Sequence, residues 1–173
     1  ATDQGPPADQ EDRLKMQADW IRVSLAGGLA NFPLIDRFGN PVLASQIDYN
    51  SQQAGYTLDP QEIINYAAAH DNETFHDAVQ LKVPLFTVNP DRARVQNIAN
   101  SLIALGQGVP FFHAGQDMLR SKSMDRDSFN SGDWFNRLDF SHIWTNWGVG
   151  LPAASKNQDN WPLMQPLLAY PAL

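Results

Sequence analysis

Apolar residues near the start of the chain recur at intervals of three or four positions, the spacing of one helix face. The residues of this stripe are Leu14, Ala18, Ile21 and Leu25. Asp9 is a candidate N-cap before the stripe, and Gly27-Gly28 follows it as a helix stop. The pattern predicts a helix over residues 9–26.

A second stripe with the same spacing lies between Pro90 and Gly106. Its members are Val95, Ile98, Ala99, Leu102, Ile103 and Leu105. This stripe predicts a helix over residues 91–106. A shorter helix is expected over residues 74–82, because Pro84 prevents it from continuing.

Two short apolar runs lack both helical and alternating periods, and are therefore predicted to be buried strands. They are Ile-Ile-Asn-Tyr-Ala-Ala-Ala at 63–69 and Val-Pro-Phe-Phe-His at 109–113. Residues 29–62 are expected to be mostly loop, with a strand ending at Leu34-Ile35 before a turn. Proline and glycine interrupt residues 146–166 so often that we expect this part to be surface chain.

The order helix, strand, helix, strand predicts an α/β fold with βαβ units and a parallel sheet. Two strands cannot close a sheet, and a (β/α)8 barrel needs about 250 residues. We therefore expect residues 1–173 to be one partial barrel domain, without a second domain, from a larger protein.

The charge and composition exclude several classes of function. Twelve Lys and Arg against nineteen Asp and Glu give a net charge of −7, which disfavours nucleic-acid and anionic-membrane partners. The absence of cysteine excludes disulfides and thiolate chemistry. No apolar run is long enough to span a bilayer, and residues 1–13 lack the pattern of a signal peptide.

A dense polar cluster, His70-Asp71-Asn72-Glu73, follows the first predicted strand. It can be interpreted as a helix N-cap provided by Asp71 or Asn72. A metal site made of His70, Asp71, His76 and Asp77 is disfavoured, because these residues lack a helical i, i+4 ligand pair. A third interpretation is a carboxylate and an imidazole directed into a sugar or phosphate pocket.

A second polar cluster lies in residues 120–136 and mixes charges with aromatic rings. Its charged members are Arg120, Lys122, Arg126, Asp127 and Asp133, and its aromatic members are Phe129, Trp134 and Phe135. Rings that stack on a sugar, together with groups that pair with its hydroxyls, are typical of a carbohydrate site. A solvated loop and a packed Ω-loop are the alternatives.

Taken together, these motifs resemble a known family. INYAAAHDNETF, LGQGVPFFHAGQDMLRSKSMDRDSFNSGDWFNRLDFS, NWGVGLP and DNWPLM are similar to the pullulanase and limit-dextrinase group of the α-amylase superfamily. The segment LAGGLANFPLIDRFGNPVLASQIDYN also resembles the part of that family before its seventh barrel strand. The resemblance covers nearly the whole chain.

The resemblance implies a fold and a reaction. The chain would be the C-terminal third of a catalytic (β/α)8 TIM barrel, from the sixth helix through the eighth strand and the long loop after it. The reaction would be hydrolysis of α-1,6-glucosidic branch linkages in pullulan, limit dextrin or amylopectin, with retention of configuration. The nucleophile and general acid/base of the family lie on the fourth and fifth strands, which would precede Ala1.

The resemblance also implies roles for individual residues. Asp71 would be the carboxylate that stabilises the transition state at the −1 sugar, and His70 would donate a hydrogen bond to the same sugar. Substrate-binding roles would fall to Asn72, Arg126, Asp127 and Asp159. The isolated chain would be inactive, because it lacks both covalent catalysts.

The expected partners are an α-glucan substrate and the missing N-terminal part of the barrel, without nucleic acid or membrane. No cofactor is required, and structural calcium is compatible with the parent enzyme, although no loop has EF-hand spacing. The sequence does not fix the compartment; the resemblance implies a secreted protein in bacteria or a plastidial one in plants. The alternatives are a non-catalytic carbohydrate-binding module derived from such a barrel and a metal-dependent hydrolase.

Overall fold

A computed structural model describes residues 6–170 of the chain. Its helices are α1 Pro7–Leu25, α2 Phe75–Lys82, α3 Asn89–Leu105, α4 Asp133–Asn136, α5 Ala154–Asn157 and α6 Trp161–Leu168. Its strands are β1 Pro33–Ile35, β2 Pro41–Leu43, β3 Asp48–Tyr49, β4 Gln52–Gln53, β5 Ile64–Asn65 and β6 Val109–Pro110. Short 3₁₀ turns lie between these elements.

The described residues divide into two compact units. One unit contains residues 6–66 and 101–111, and the other contains residues 67–100 and 112–170. The expectation of a single partial domain over residues 1–173 stays a prediction. The expectation that no signal peptide is present falls partly on residues 1–5, outside the described residues.

In the unit of residues 6–66 and 101–111, α1 packs on a small apolar core. Val23 contacts Ala44 and Ile47, with Trp20 and Phe32 around them. The helix ends where predicted, because Gly27 and Gly28 adopt positive φ angles of 73° and 66°.

The predicted face of α1 is wrong. Leu14 and Ile21 are 67% and 44% exposed, whereas Asp19 and Val23 are buried. The burial of Asp19 could not be read from apolar spacing, because its carboxylate pairs with Arg22 and accepts the backbone N–H of Arg37 at 2.9 Å. Asp9 is also not the N-cap; it lies in the first turn, and Pro6 occupies the cap position.

The hairpin β1–β2 confirms the predicted strand and turn around Leu34-Ile35. The strands pair antiparallel, and the Asp36 carboxylate accepts the backbone N–H groups of Phe38 and Asn40 within the turn. Strands β3 and β4 form a second antiparallel pair.

The two strands predicted to be parallel do pair in that way, with Ile64 opposite Val109 and Asn65 opposite Pro110. Both are much shorter than predicted, and they are not buried in this chain: Ile64 is 62% exposed, and Val109 is also exposed. The helices α2 and α3 lie between them along the sequence, as a βαβ connection requires.

In the unit of residues 67–100 and 112–170, the apolar core is formed mainly by residues from the second half of the chain. Met124, Met164 and Leu167 are buried together, and Trp147 and Trp161 pack against them. Residues 146–166 were expected to be surface chain, and this expectation is wrong. The prolines do not prevent a helix there. Pro162 occupies the first turn of α6, where its missing N–H is tolerated, and Pro166 lies inside the same eight-residue helix.

Helix α3 has nearly the predicted bounds but not the predicted buried stripe. Val95, Ile98 and Leu105 are exposed, and Ile103 is buried. The polar residues Arg92 and Gln96 are buried instead. Among residues 6–170, no helix has the length and apolar character needed to cross a membrane.

Candidate functional site

The predicted catalytic segment His70-Asp71-Asn72 lies in an irregular stretch between β5 and α2 along the chain. The side chains of His70 and Asp71 are 87% and 80% exposed, and Nε2 of His70 lies 3.5 Å from Oδ2 of Asp71. Asn72 adopts a left-handed backbone with φ 60°, a conformation that asparagine tolerates better than most residues. The segment therefore presents an imidazole and a carboxylate to the outside of the unit.

The helix that follows is capped by neither Asp71 nor Asn72, so that interpretation of the cluster is wrong. Thr74 is the N-cap of α2, and its hydroxyl oxygen accepts the backbone N–H of Asp77 at 3.2 Å. Because the cap is three residues further on, Asp71 remains outside the helix with its carboxylate exposed.

Asp77, in the first turn of α2, is fully buried and holds the loop of residues 120–127. Its carboxylate accepts one hydrogen bond from the Ser121 hydroxyl at 2.5 Å and another from the backbone N–H of Lys122 at 2.8 Å. Burial raises the pKa of Asp77 to about 6, although the hydrogen bonds from Ser121 and Lys122 act in the opposite direction. The carboxylate thus joins α2 to a loop more than forty residues away.

Lys122 is turned inward, with 1% of its surface exposed. Its ammonium Nζ donates a hydrogen bond to the backbone carbonyl of His70 at 2.9 Å. Burial lowers the pKa of Lys122, while the negative charges of Asp125 and Asp77 oppose that effect. The ammonium group is therefore held by the His70 carbonyl, and the side chain does not face solvent.

The other predicted substrate-binding residues occupy three different environments. Arg126 contacts Glu73, the residue after the predicted segment, with Nε 3.5 Å from Oε1 of Glu73. Oδ2 of Asp127 lies 3.8 Å from Nζ of Lys156. Asp159 is exposed in a 3₁₀ turn, and within residues 6–170 no hydrogen bond or ion pair joins it to the other predicted site residues.

A second histidine lies next to the same loop. His113 Nε2 is 3.2 Å from Nη1 of Arg120, which also donates to the backbone carbonyl of Asn136 at 2.7 Å through Nη2. Burial lowers the pKa of His113 to about 4, and the positive charge of Arg120 adds to the effect. The neutral ring therefore accepts from the guanidinium, and Arg120 serves the loop's own structure.

The polar and aromatic cluster at residues 120–136 combines two of the proposed interpretations. Ser121 through Asp125 are buried, as in a packed loop. Phe129 and Trp134 are exposed, whereas Phe135 is buried. The exposed rings are available for stacking on a sugar, and the inward half of the cluster is structural.

The metal interpretation of His70, Asp71, His76 and Asp77 gains no support. Both oxygens of Asp77 already accept protein hydrogen bonds, and the buried ring of His76 packs edge-on against Trp147 at 5.7 Å. Among the described residues, no three His, Cys, Asp or Glu side chains are grouped so as to hold a metal ion.

Sequence reasoning missed the structural roles of Asp77 and Lys122. The spacing Thr74-Phe-His-Asp77 is that of a helix N-cap followed by an acidic residue three positions later, and it could have indicated the true start of α2. No comparable local pattern marks Lys122, because its acceptor is the carbonyl of a residue 52 positions away.

Comparison with known proteins shows which family the chain resembles. The model for alpha-1,6-glucosidases, pullulanase-type, C-terminal, matches residues 144–173. Pullulanase 1, chloroplastic, from Arabidopsis thaliana is 47% identical over 99% of the chain, which covers 18% of that protein. The pullulanase of Klebsiella aerogenes is 41% identical over 89% of the chain, which covers 14% of that protein.

Solved structures agree with these relatives. Klebsiella pneumoniae pullulanase complexed with maltotriose superposes with a TM-score of 0.88 at 40% identity, over 91% of this chain and 15% of that chain. The apo pullulanase from the same organism also gives 0.88, over 91% of this chain and 17% of that chain. The chain spans less than one fifth of the length of these relatives. The chain is similar to pullulanases over nearly its whole length, and residues 144–173 match the C-terminal model of that family.

Proposed function

We propose that the chain is part of a starch-debranching glycoside hydrolase that cleaves α-1,6-glucosidic linkages in pullulan, limit dextrin or amylopectin. The single observation that carries this proposal is the exposed His70-Asp71 pair, whose backbone accepts a hydrogen bond from buried Lys122. The pair lies in a chain that is similar to pullulanases over nearly its whole length. An exposed carboxylate on a backbone held in place is well suited to contact a substrate.

In this proposal Asp71 acts on the transition state and not as a covalent catalyst. Retaining hydrolysis passes through an oxocarbenium-like transition state and uses two carboxyl groups about 5–5.5 Å apart. The resemblance assigns those two groups to strands before residue 1. Asp71 would bind hydroxyls of the −1 sugar, and its contribution would be greatest when those contacts tighten in the transition state.

The remaining predicted residues would bind the glucan around this centre. His70 lies next to Asp71 and would donate to the same sugar. Asn72 follows that pair in the sequence, and Arg126 lies 3.5 Å from Glu73. Both would bind the same sugar region, and Asp127 and Asp159 would contact more distant sugars. The proposed ligand is an α-glucan, because carboxylates, amides and guanidinium groups match its hydroxyls.

The finer fold proposal is the C-terminal third of a (β/α)8 barrel. The parallel pairing of β5 with β6 supports it, as does the sequence order that places α2 and α3 between them. Parallel sheets are ordinarily covered on both faces, yet Ile64, Tyr66 and Val109 are exposed in this chain. The proposed cover is the N-terminal part of the same barrel, on which hydrolysis would depend. The comparisons give no support to the alternative of a self-standing carbohydrate-binding module.

The role of Asp71 is tested in a full-length pullulanase that carries this sequence. We expect Asp71→Asn to lower kcat on pullulan by at least about a hundredfold, the loss typical of a removed transition-state contact. The thermal unfolding midpoint should stay unchanged, because the side chain is 80% exposed. Asp117→Asn is the matched control, since Asp117 is an exposed carboxylate of the same unit. Near-normal turnover of Asp71→Asn would refute the assignment.

A further inference from the structure

The carbonyl that accepts the Lys122 hydrogen bond belongs to the peptide that joins His70 to Asp71. Lys122 Nζ lies 2.9 Å from that oxygen. A peptide unit is planar, so fixing the carbonyl also fixes the N–H and Cα of Asp71. The exposed side chain of Asp71 has little packing of its own, and its direction therefore depends on this backbone.

The position of Lys122 is itself fixed at two points. Its backbone N–H donates to one oxygen of Asp77, and the neighbouring Ser121 hydroxyl donates to the other. The Ser121 oxygen in turn accepts the backbone N–H of Ser123 at 2.8 Å. A left-handed backbone at Ser123, φ 50°, and at Met124, φ 64°, turns the loop at this point.

Burying an ammonium group is costly unless charges and acceptors surround it. An uncharged apolar side chain would fill the same space without that cost. The presence of a lysine with 1% exposure, directed at a backbone carbonyl, is better explained by the hydrogen bond it donates than by packing.

We propose that Lys122 is a positioning residue for the glycosidase reaction: its ammonium fixes the His70–Asp71 peptide and so directs the Asp71 carboxylate toward the sugar. Asp77 and Ser121 hold the loop from which Lys122 reaches that peptide. The inference rests on the proposed function, because it gives Asp71 a transition-state role.

The first test is Lys122→Met in full-length pullulanase, with Lys82→Met as the matched control. Lys82 is an exposed residue at the end of α2 in the same unit. We expect Lys122→Met to lower kcat on pullulan about 10- to 100-fold, the range produced by a displacement of about 1 Å near a reacting centre. KM should change less than threefold, because ground-state binding by the other site residues remains. Lys82→Met should behave as the parent enzyme.

A double-mutant cycle separates positioning from a general loss of structure. In the Asp71→Asn background, measured with enzyme in excess over substrate, Lys122→Met should cost less than about twofold, because the group it directs has been neutralised. An equal loss in both backgrounds would overturn the proposal. If Asp71→Asn itself retained near-normal turnover, the proposed function would fail instead, so the two failures are distinguishable.

Ser121→Ala keeps the test decisive if Lys122→Met does not fold. The substitution removes only the hydroxyl that links Asp77 to the loop, and little volume changes. We expect a several-fold loss in kcat that also disappears in the Asp71→Asn background. An unchanged kcat for Ser121→Ala, or a loss that persists in that background, would overturn the proposal.

Discussion

At the residue scale, His76 links the fold to pH. The His76 ring is buried against Trp147, and its Nε2 lies 3.5 Å from Nε2 of Gln80. Burial lowers the pKa of His76 from 6.5 to about 4, and the positive charge of Arg92 contributes in the same direction. The folded state therefore favours the neutral ring.

A stability change follows from that lowered pKa. The folded state binds the His76 proton more weakly than the unfolded state does, so the contribution is complete above pH 6.5 and is lost as pH falls toward 4. His76→Phe keeps a ring against Trp147 but cannot be protonated. We expect this variant in the full-length enzyme to lose less stability between pH 7 and pH 4.5 than the parent, by about 2 kcal/mol.

The measurement is the thermal unfolding midpoint across that pH range. His142→Asn is the control, because His142 is an exposed histidine with a left-handed backbone that asparagine tolerates. The control should keep the parent's pH dependence. An identical pH dependence in His76→Phe and the parent would show that His76 does not carry the effect.

Some site residues could be predicted from sequence and others could not. His70 and Asp71 stand out because they form a continuous polar run after an apolar one, and their roles remain predictions from the family resemblance. Asp77 and Lys122 resemble surface charges in the sequence, since local spacing does not encode contacts across 44 and 52 positions. The residues proposed to contact a substrate were easier to predict than the residues that hold them in place.

At the element scale, the start of α2 determines where the predicted catalytic segment ends. The Thr74 hydroxyl caps the helix, and Asp77 lies in the helix's first turn. We expect Thr74→Ala to lower stability by about 1 kcal/mol, the usual cost of a lost N-cap. Thr74→Ser retains the hydroxyl and should lose much less.

The readout is the thermal unfolding midpoint of both variants in the full-length enzyme. Because the cap precedes Asp77, loosening it should also lower kcat on pullulan more in Thr74→Ala than in Thr74→Ser. Equal midpoints for the two variants would contradict the role of the Thr74 cap.

Helix bounds were predictable because proline and glycine punctuate the chain. The predicted helices 9–26 and 91–106 correspond to Pro7–Leu25 and Asn89–Leu105. Their buried faces were not predictable, because Asp19, Arg92 and Gln96 are buried through polar contacts that apolar spacing ignores. The strands were predicted too long, since only two residues of each satisfy the pairing between β5 and β6.

At the scale of the whole molecule, the chain corresponds to less than one fifth of the length of its pullulanase relatives. Because the rest of such an enzyme is much longer, we propose that the catalytic groups are divided between this chain and that larger part. This part would carry the transition-state carboxylate and its supporting loop, and the rest of the enzyme would supply the nucleophile and the general acid/base. Neither part would hydrolyse pullulan without the other.

The most direct test compares the purified 173-residue chain with the full-length pullulanase that contains it. New reducing ends would be measured on pullulan and on linear amylose, after native mass spectrometry has verified that no larger polypeptide accompanies the 19.3 kDa chain. We predict that the full-length enzyme releases reducing ends from pullulan and not from amylose, and that the isolated chain releases none from either. Hydrolysis of pullulan by the isolated chain, or cleavage of amylose in preference to pullulan by the full-length enzyme, would contradict the account.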